Sequence, residues 1–224
     1  MYTLYIGNKN YSTWSLRGWL ATKLSGAPFK EVLVQLSGTH NPEFLRLSPT
    51  ARVPALHDDG SVVWDSLAIA EYLAERHSGM WPTDPAARAW ARSVCAEMHS
   101  GFGALRNDMT MCIRERVDVR PWSPALEGDI ARVDAIWNEG RRRFGAGGAF
   151  LCGALSLADV FYAPVAYRFQ TYGVTPTGAA AAYLAALLAH PYLREWEKAA
   201  LAETTIVDAD EPRLLYRDRI RTAG

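Results

Sequence analysis

The beginning of the chain alternates between two hydrophobic periods, one of strands and one of helices. Tyr2 to Ile6 is short and rich in β-favouring residues, which predicts a first strand. Apolar residues then recur at helical spacing from Leu16 to Leu24. Val32, Val34 and Leu36 alternate with residues of the opposite face, which predicts a second strand. The chain therefore opens as strand, helix, strand.

The pattern continues through a hairpin to a third helix. Pro42 suits the first position of a short helix. Val53 to His57 and Ser61 to Trp64 read as strands, and the Asp59-Gly60 pair between them is a hairpin signal. A helix follows from Ser66 to about Arg76. The order β-α-β-α-β-β-α is that of a thioredoxin-like α/β domain.

Strand signals then stop and helical signals replace them. We expect a thioredoxin-like N-terminal domain over residues 1–76, a linker over 77–85 and an all-helical C-terminal bundle domain over 86–224. Helices are expected to start at Asp84-Pro85 and Ser156, and to span Pro124–Phe144, Ala179–Ala189 and Pro191–Ala202. The weakly patterned C-terminus is expected to be a tail over the surface or a partly disordered one.

Composition narrows the class of protein. Lys plus Arg and Asp plus Glu number 24 each, so no net charge draws the chain to nucleic acid or an anionic membrane. No signal peptide is visible, and no stretch approaches the roughly 20 apolar residues of a membrane span. Cys95, Cys112 and Cys152 are far apart, without metal-ligand spacing. We therefore expect a cytoplasmic protein with neither a disulfide framework nor a bound metal.

The loop before the first helix carries a hydroxyl-rich segment, Ser12-Thr13-Trp14-Ser15-Leu16-Arg17. The first amides of a helix are unpaired, and the helix dipole favours negative charge at that end. A hydroxyl at this place can donate a hydrogen bond to a bound thiolate. The alternative is that Ser12 or Ser15 only caps the helix.

Two further segments have the chemistry to bind an extended ligand that carries both a carboxylate and an ammonium group. A cis bond in Val53-Pro54 would turn the Val53 main chain outward to pair with a peptide, and an ordinary trans proline is the alternative. At the third helix, Ser66 and the free amides can bind a carboxylate, while Asp65 can bind an ammonium group. Either residue is also a good helix cap.

Taken together, these segments resemble the cytosolic glutathione transferases over nearly the whole chain. The segment from Ser12 to Arg17 is similar to the serine motif of the zeta class, so the chain is identified as a serine-type, zeta-like, bacterial-looking member. Leu155-Ser156-Leu157-Ala158-Asp159-Val160 resembles the family's capping box and hydrophobic staple. The glutathione-binding half is matched by Pro42-Glu43-Phe44-Leu45, Ser48-Pro49, Arg52-Val53-Pro54-Ala55-Leu56 and Asp65-Ser66-Leu67-Ala68-Ile69-Ala70-Glu71-Tyr72-Leu73.

The resemblance implies a role for each matched residue. Ser12 would hydrogen-bond the glutathione sulfur and stabilise its thiolate, as the catalytic residue. The Val53 main chain, with Pro54 cis, would pair with the cysteinyl unit, and Asp65 and Ser66 would hold the γ-glutamyl head. The candidates for the glycyl carboxylate end are Arg52 and His40.

Three other residues stay open as supports or substitutes for Ser12. Tyr5 would be the activating hydroxyl if the chain were tyrosine-type, and Ser15 is a second hydroxyl at the helix start. Arg17 would support the thiolate electrostatically, or else form an ion pair with a nearby acid. The motif departs from the zeta pattern, because Trp14 stands where those members carry Cys.

The expected activity is attack of the glutathione thiolate on a small electrophile in a cleft between the domains. One alternative is a zeta-like, glutathione-dependent cis–trans isomerase of the maleylacetoacetate type, for which Arg17 is the only obvious cation. Another is a non-catalytic binding or scaffold protein. A homodimer is implied by the family. The cleft walls are expected to come from Tyr11, Trp14 and the first two helices of the helical domain. These helices carry Met98, Phe102, Met109 and Met111, and a Met and aromatic stripe of this kind is also typical of a core.

Overall fold

The computed structural model describes residues 1–34 and 42–220. Its sheet has the strand order β2-β1-β3-β4; β1 is parallel to β2 and antiparallel to β3, and β4 is antiparallel to β3. The strands are β1 Tyr2–Ile6, β2 Phe29–Leu33, β3 Ala55–Asp58 and β4 Ser61–Val63. The helices of this half are α1 Thr13–Leu24, α2 Pro42–Leu47 and α3 Ser66–Ala74. The predicted thioredoxin-like order is confirmed.

The second strand begins earlier than its alternation predicted. It starts at Phe29, because β2 pairs with the whole length of β1, from Tyr2 opposite Phe29 to Ile6 opposite Leu33. β2 is an edge strand with mostly exposed residues, so burial imposes little alternation on it. The predicted strand position Leu36 lies outside the described residues.

Helices make up the second half of the fold. They are α4 Pro85–Ser100, α5 Gly103–Asp108, α6 Pro124–Phe144, α7 Leu157–Tyr172, α8 Gly178–Ala189, α9 Pro191–Ala202 and α10 Pro212–Leu215, with a 3-10 turn at Asp208–Asp210. The short helix α5 was not predicted, because six residues are too few to show a period. The domain boundaries at residues 76 and 85 stay a prediction. Within the described residues, no helix is long and apolar enough to cross a membrane.

Helix α7 is the centre of the helical domain. Nearly all of its residues are buried, and it packs against both α1 and α4. Its start is fixed by the predicted capping box, in which the Ser156 N–H donates to the Asp159 carboxylate at 2.8 Å. The α7 contacts therefore join the helical domain to the first helix of the α/β domain.

The C-terminal part of the chain returns to the loop between β1 and α1. The Glu203 carboxylate accepts hydrogen bonds from the backbone N–H groups of Lys9 and Asn10, at 2.8 and 3.0 Å. The Tyr11 hydroxyl donates to Glu211 at 2.8 Å. We call residues 203–211 the C-terminal strap. This part of the predicted tail is folded onto the surface, beside the start of α1.

Candidate functional site

Ser12 lies at the N-terminal end of α1 and caps it. Its hydroxyl oxygen accepts a hydrogen bond from the Ser15 N–H at 3.3 Å and donates to the Ser15 hydroxyl at 2.8 Å. Ser15 is fully buried and also accepts from the Gly7 N–H at 2.9 Å. Ser12 is only half-buried and lines an open cleft. Ser12 therefore caps the helix, and the same residue lines the cleft.

A groove of about 510 Å³ runs beside Ser12's helix. The Val53-Pro54 peptide bond is cis, as the resemblance implied. Gly18 lets α1 approach this turn closely, because a Cβ built on Gly18 would lie 2.7 Å from the Pro54 Cβ. The groove is lined by Trp14, Thr50, Arg52, Val53, Pro54, Trp64, Asp65, Ala68 and His99. It therefore brings together Arg52, Val53, Pro54 and Asp65.

Asp65 and Ser66 occupy the start of α3, where they were predicted to bind a head group. One Asp65 oxygen accepts from the Leu67 N–H at 3.0 Å, and the other lies 3.2 Å from His99 Nε2. Ser66 is fully buried, and its hydroxyl has no hydrogen-bond partner among the described residues. The exposed Asp65 thus lines the groove, whereas the described lining of the groove does not include Ser66. His40 lies outside the described residues.

A second, larger cleft adjoins the groove at Trp14, which lines both. Its volume is about 820 Å³. Tyr11, Trp14 and Met111 line it, whereas Met98, Phe102 and Met109 are buried in the core, which was the alternative for the Met and aromatic stripe. The C-terminal strap supplies another wall. The cleft's polar lining includes Ser12, Thr13, Arg106, Arg168, Glu203, Thr204, Thr205 and Asp210.

Among the residues that the structure describes, Arg17 does not form the predicted alternative, an ion pair. It is 1% exposed, and its guanidinium carbon lies 4.8 Å from the Trp14 ring centre and 5.3 Å from that of Phe161. Its Nε and Nη1 have no hydrogen-bond partner within the described part of the chain. Burial, reinforced by Arg106 and Arg168, lowers the pKa of Arg17 to about 9. The sequence around Arg17 could not predict this environment. The groups that surround the guanidinium are aromatic rings, and one of them, Phe161, is distant in the sequence.

Two other arginines supply the cleft's positive charge. The Arg106 guanidinium lies 4.9 Å from the Trp14 ring centre and donates to main-chain carbonyls of α4, including that of His99. Arg168 is 7% exposed, and burial lowers its pKa to about 10. The sequence analysis named neither arginine as a site residue. Arg106 lies on α5, which was not predicted. Arg168 could have been noticed, because it is a charged residue within the apolar sequence of α7.

Tyr5 is placed away from these openings. It lies on β1, and its ring packs against His57 with the ring centres 4.6 Å apart. The described linings of the groove and the cleft do not include it. Across residues 1–34 and 42–220, no group of three or more His, Cys, Asp or Glu side chains is placed to hold a metal ion.

Two family models match the chain, and both describe glutathione S-transferases. The N-terminal domain matches residues 11–76 and the C-terminal domain matches residues 123–199. Maleylacetoacetate isomerase of Pseudomonas aeruginosa is 31% identical over 221 residues, which cover 91% of this chain and 98% of that protein. The rat protein of the same name is 29% identical over 178 residues, or 76% and 79% of the two chains.

The fold agrees with these sequence matches. A glutathione transferase homolog from Burkholderia with bound glutathione superposes with a TM-score of 0.68 at 24% identity, over 90% of this chain and 99% of that one. Glutathione transferase F2 of Populus trichocarpa has a TM-score of 0.69 at 18% identity, over 91% and 100%. The chain belongs to the glutathione S-transferase family. It is a glutathione transferase or a closely related enzyme.

Proposed function

We propose that the protein binds glutathione in the groove and uses its thiolate against a small electrophile in the adjoining cleft. The Val53 main chain pairs with the cysteinyl unit, Asp65 and Ser66 hold the γ-glutamyl head, and Arg52 is close to the glycyl end. The observation that supports this most directly is the position of Ser12. Its hydroxyl lies at the N-terminus of α1, on the cleft whose shared wall, Trp14, also lines the groove.

The chemistry required is stabilisation of a sulfur anion. A free thiol has a pKa near 8.5, so only a few per cent is thiolate at neutral pH. The Ser12 hydroxyl turns its proton from Ser15 to the bound sulfur, and this hydrogen bond and the dipole of α1 both favour the anion. The thiolate then attacks the electrophilic carbon, a carbon–sulfur bond forms, and the leaving group departs with its electron pair. Proximity in the adjoining sites supplies the rest of the acceleration.

Replacing Ser12 tests this assignment. Ser12→Ala removes one hydrogen bond to an anion, which is worth about 1.5–3 kcal/mol, so kcat/KM for glutathione with an aryl halide falls about ten- to a hundredfold. Ultraviolet absorbance of the bound thiolate, followed against pH, shows a higher thiol pKa in the variant.

Ser93→Ala is the matched control, because Ser93 is exposed on α4 and donates only to the Ala89 carbonyl. Unchanged kinetics and an unchanged thiol pKa in Ser12→Ala would remove Ser12 from the mechanism.

A second candidate is isomerisation of an unsaturated dicarboxylic acid. The buried Arg168 and the neighbouring Arg106 on the cleft wall favour it, because carboxylates pair with guanidinium groups, and the Pseudomonas relative is named for such a reaction. The thiolate would add to the double bond, the new single bond would rotate, and elimination would return the thiolate and the isomerised acid.

Replacing Arg168 separates the two candidates. Arg168→Met keeps an apolar arm but removes the charge, so KM for a cis-unsaturated dicarboxylate rises at least tenfold, while turnover of an uncharged aryl halide changes little. Arg132→Met, on the exposed face of α6 and paired with Glu97, is the control. Equal losses on both substrates would contradict a carboxylate role.

A homodimer and a cytoplasmic location complete the proposal. The family implies a dimer through α3 and α4. The buried free thiols of Cys95 and Cys112 support a reducing compartment.

A further inference from the structure

His99 is a groove residue that the second domain contributes. It lies in the last turn of α4, and its ring stands edge-on to Trp14, with the ring centres 5.3 Å apart. Its Nε2 lies 3.2 Å from an Asp65 carboxylate oxygen. Both residues line the groove together with Val53 and Pro54. Asp65 is therefore held from two directions, by the α3 amide of Leu67 and by His99.

We infer that His99 is a positioning residue that holds the Asp65 carboxylate so that the groove selects ligands with an α-ammonium group. The inference rests on the proposed glutathione site. Asp65 has a short arm and an exposed carboxylate, which would turn freely if the Leu67 N–H were its only hydrogen-bond donor. The His99 contact holds the second oxygen as well, because each carboxylate oxygen then has a nitrogen of its own, at 3.0 and 3.2 Å.

The charge of His99 decides whether it helps or competes with the ligand. Nε2 is the ring nitrogen that faces Asp65, at 3.2 Å, while Nδ1 is buried and has no hydrogen-bond partner among the described residues. Burial, together with Arg17 of α1 and Arg106 of α5, lowers the pKa of His99, and Asp65 acts in the opposite direction. The ring is thus neutral at neutral pH, and the full negative charge of Asp65 remains for the ligand. A protonated ring would compete for the same carboxylate.

The test compares two ligands: glutathione, and the same tripeptide without its amino group. Wild-type protein is expected to bind glutathione more tightly. In His99→Phe, which keeps a ring beside Trp14 but has no donor, glutathione affinity falls about tenfold and affinity for the desamino ligand changes less than twofold. His99→Gln, whose amide can donate to Asp65, recovers most of the loss. Calorimetric titration measures the dissociation constant of each protein for each ligand.

Two controls make the outcome decisive. His77→Phe removes another half-buried histidine bonded to a neighbour, Tyr2, outside the groove, and leaves both affinities unchanged. Between about pH 8 and pH 5, glutathione affinity falls several-fold in wild type but stays nearly flat in His99→Gln. This pH comparison still decides the question if His99→Phe does not fold.

Equal loss of both ligands in His99→Phe, no loss at all, or the same pH slope in wild type and His99→Gln would overturn the inference. Absence of glutathione binding by the wild-type protein would overturn the proposed function itself, and the inference with it.

Discussion

At the scale of single residues, Ser12 and Arg17 show how one helix start serves two purposes. Ser12 caps α1 and still reaches the cleft surface, whereas Arg17 is buried behind it between aromatic rings. An unpaired buried cation is costly, and it raises the local potential around an anion. The positive charge near the cleft therefore comes from side chains held by the fold, and within residues 1–34 and 42–220 Arg17 has no ion-pair partner.

Gly18 gives a prediction at the same scale. Gly18→Ala would place its new Cβ 2.7 Å from the Pro54 Cβ, so α1 and the Pro54 turn must separate. Overpacking of this kind typically costs about 1–3 kcal/mol, which outweighs the ~1 kcal/mol that alanine gains over glycine within a helix. We expect a lower free energy of unfolding in urea and a raised KM for glutathione.

Gly128→Ala is the control. Gly128 is exposed within α6, and nothing lies within 4 Å of a Cβ built there. The substitution Gly128→Ala should raise the free energy of unfolding by up to ~1 kcal/mol. If both substitutions stabilise equally, the close approach of Gly18 to Pro54 has no energetic consequence.

At the scale of elements, α7 depends on its first turn. Asp159 is completely buried and accepts from the Leu151 N–H at 3.0 Å and from the Ser156 N–H and hydroxyl at 2.8 and 3.1 Å. Burial is the stronger influence, and it raises the pKa of Asp159 from 3.8 to about 6. The capping box therefore carries a titratable group inside the core.

The sign of its pH effect follows from that pKa. Because the folded state binds this proton more tightly, the contribution of Asp159 to stability is full below about pH 4 and is lost as the pH rises through about 6. Asp159→Asn removes this titration. It also puts an amide NH₂ where an oxygen accepted, which costs about 2 kcal/mol at neutral pH. Urea unfolding of both proteins from pH 4 to 7 measures the two effects.

Asp84→Asn is the comparison, because Asp84 caps α4 at the surface and asparagine caps nearly as well. Its free energy of unfolding should stay within about 0.5 kcal/mol of wild type. An Asp159→Asn protein that is as stable as wild type, with the same pH slope, would contradict the account of the α7 start.

At the scale of the whole molecule, the sequence predicts local order better than distant neighbours. The caps at Asp84 and Ser156 and the element order could be read directly, because each depends on residues a few positions apart. The contact of His99 with Asp65 and the place of Arg168 in the cleft could not, because they depend on how α4 and α7 pack on the α/β domain. Helix α5 was not predicted because its six residues are too few to show a helical period, and the role of Arg106 on that helix was therefore not predicted either.

The C-terminal strap has a consequence for how the enzyme is made. The loop at Lys9 and Asn10 is translated long before its carboxylate partner, Glu203, which lies 194 residues after Lys9 along the chain. Domains generally fold in order from the N-terminus during synthesis. The α/β half can therefore assemble first, and the cleft wall closes only after the C-terminal strap has been translated. A nascent chain stalled before residue 203 would carry the start of α1 without its finished cleft.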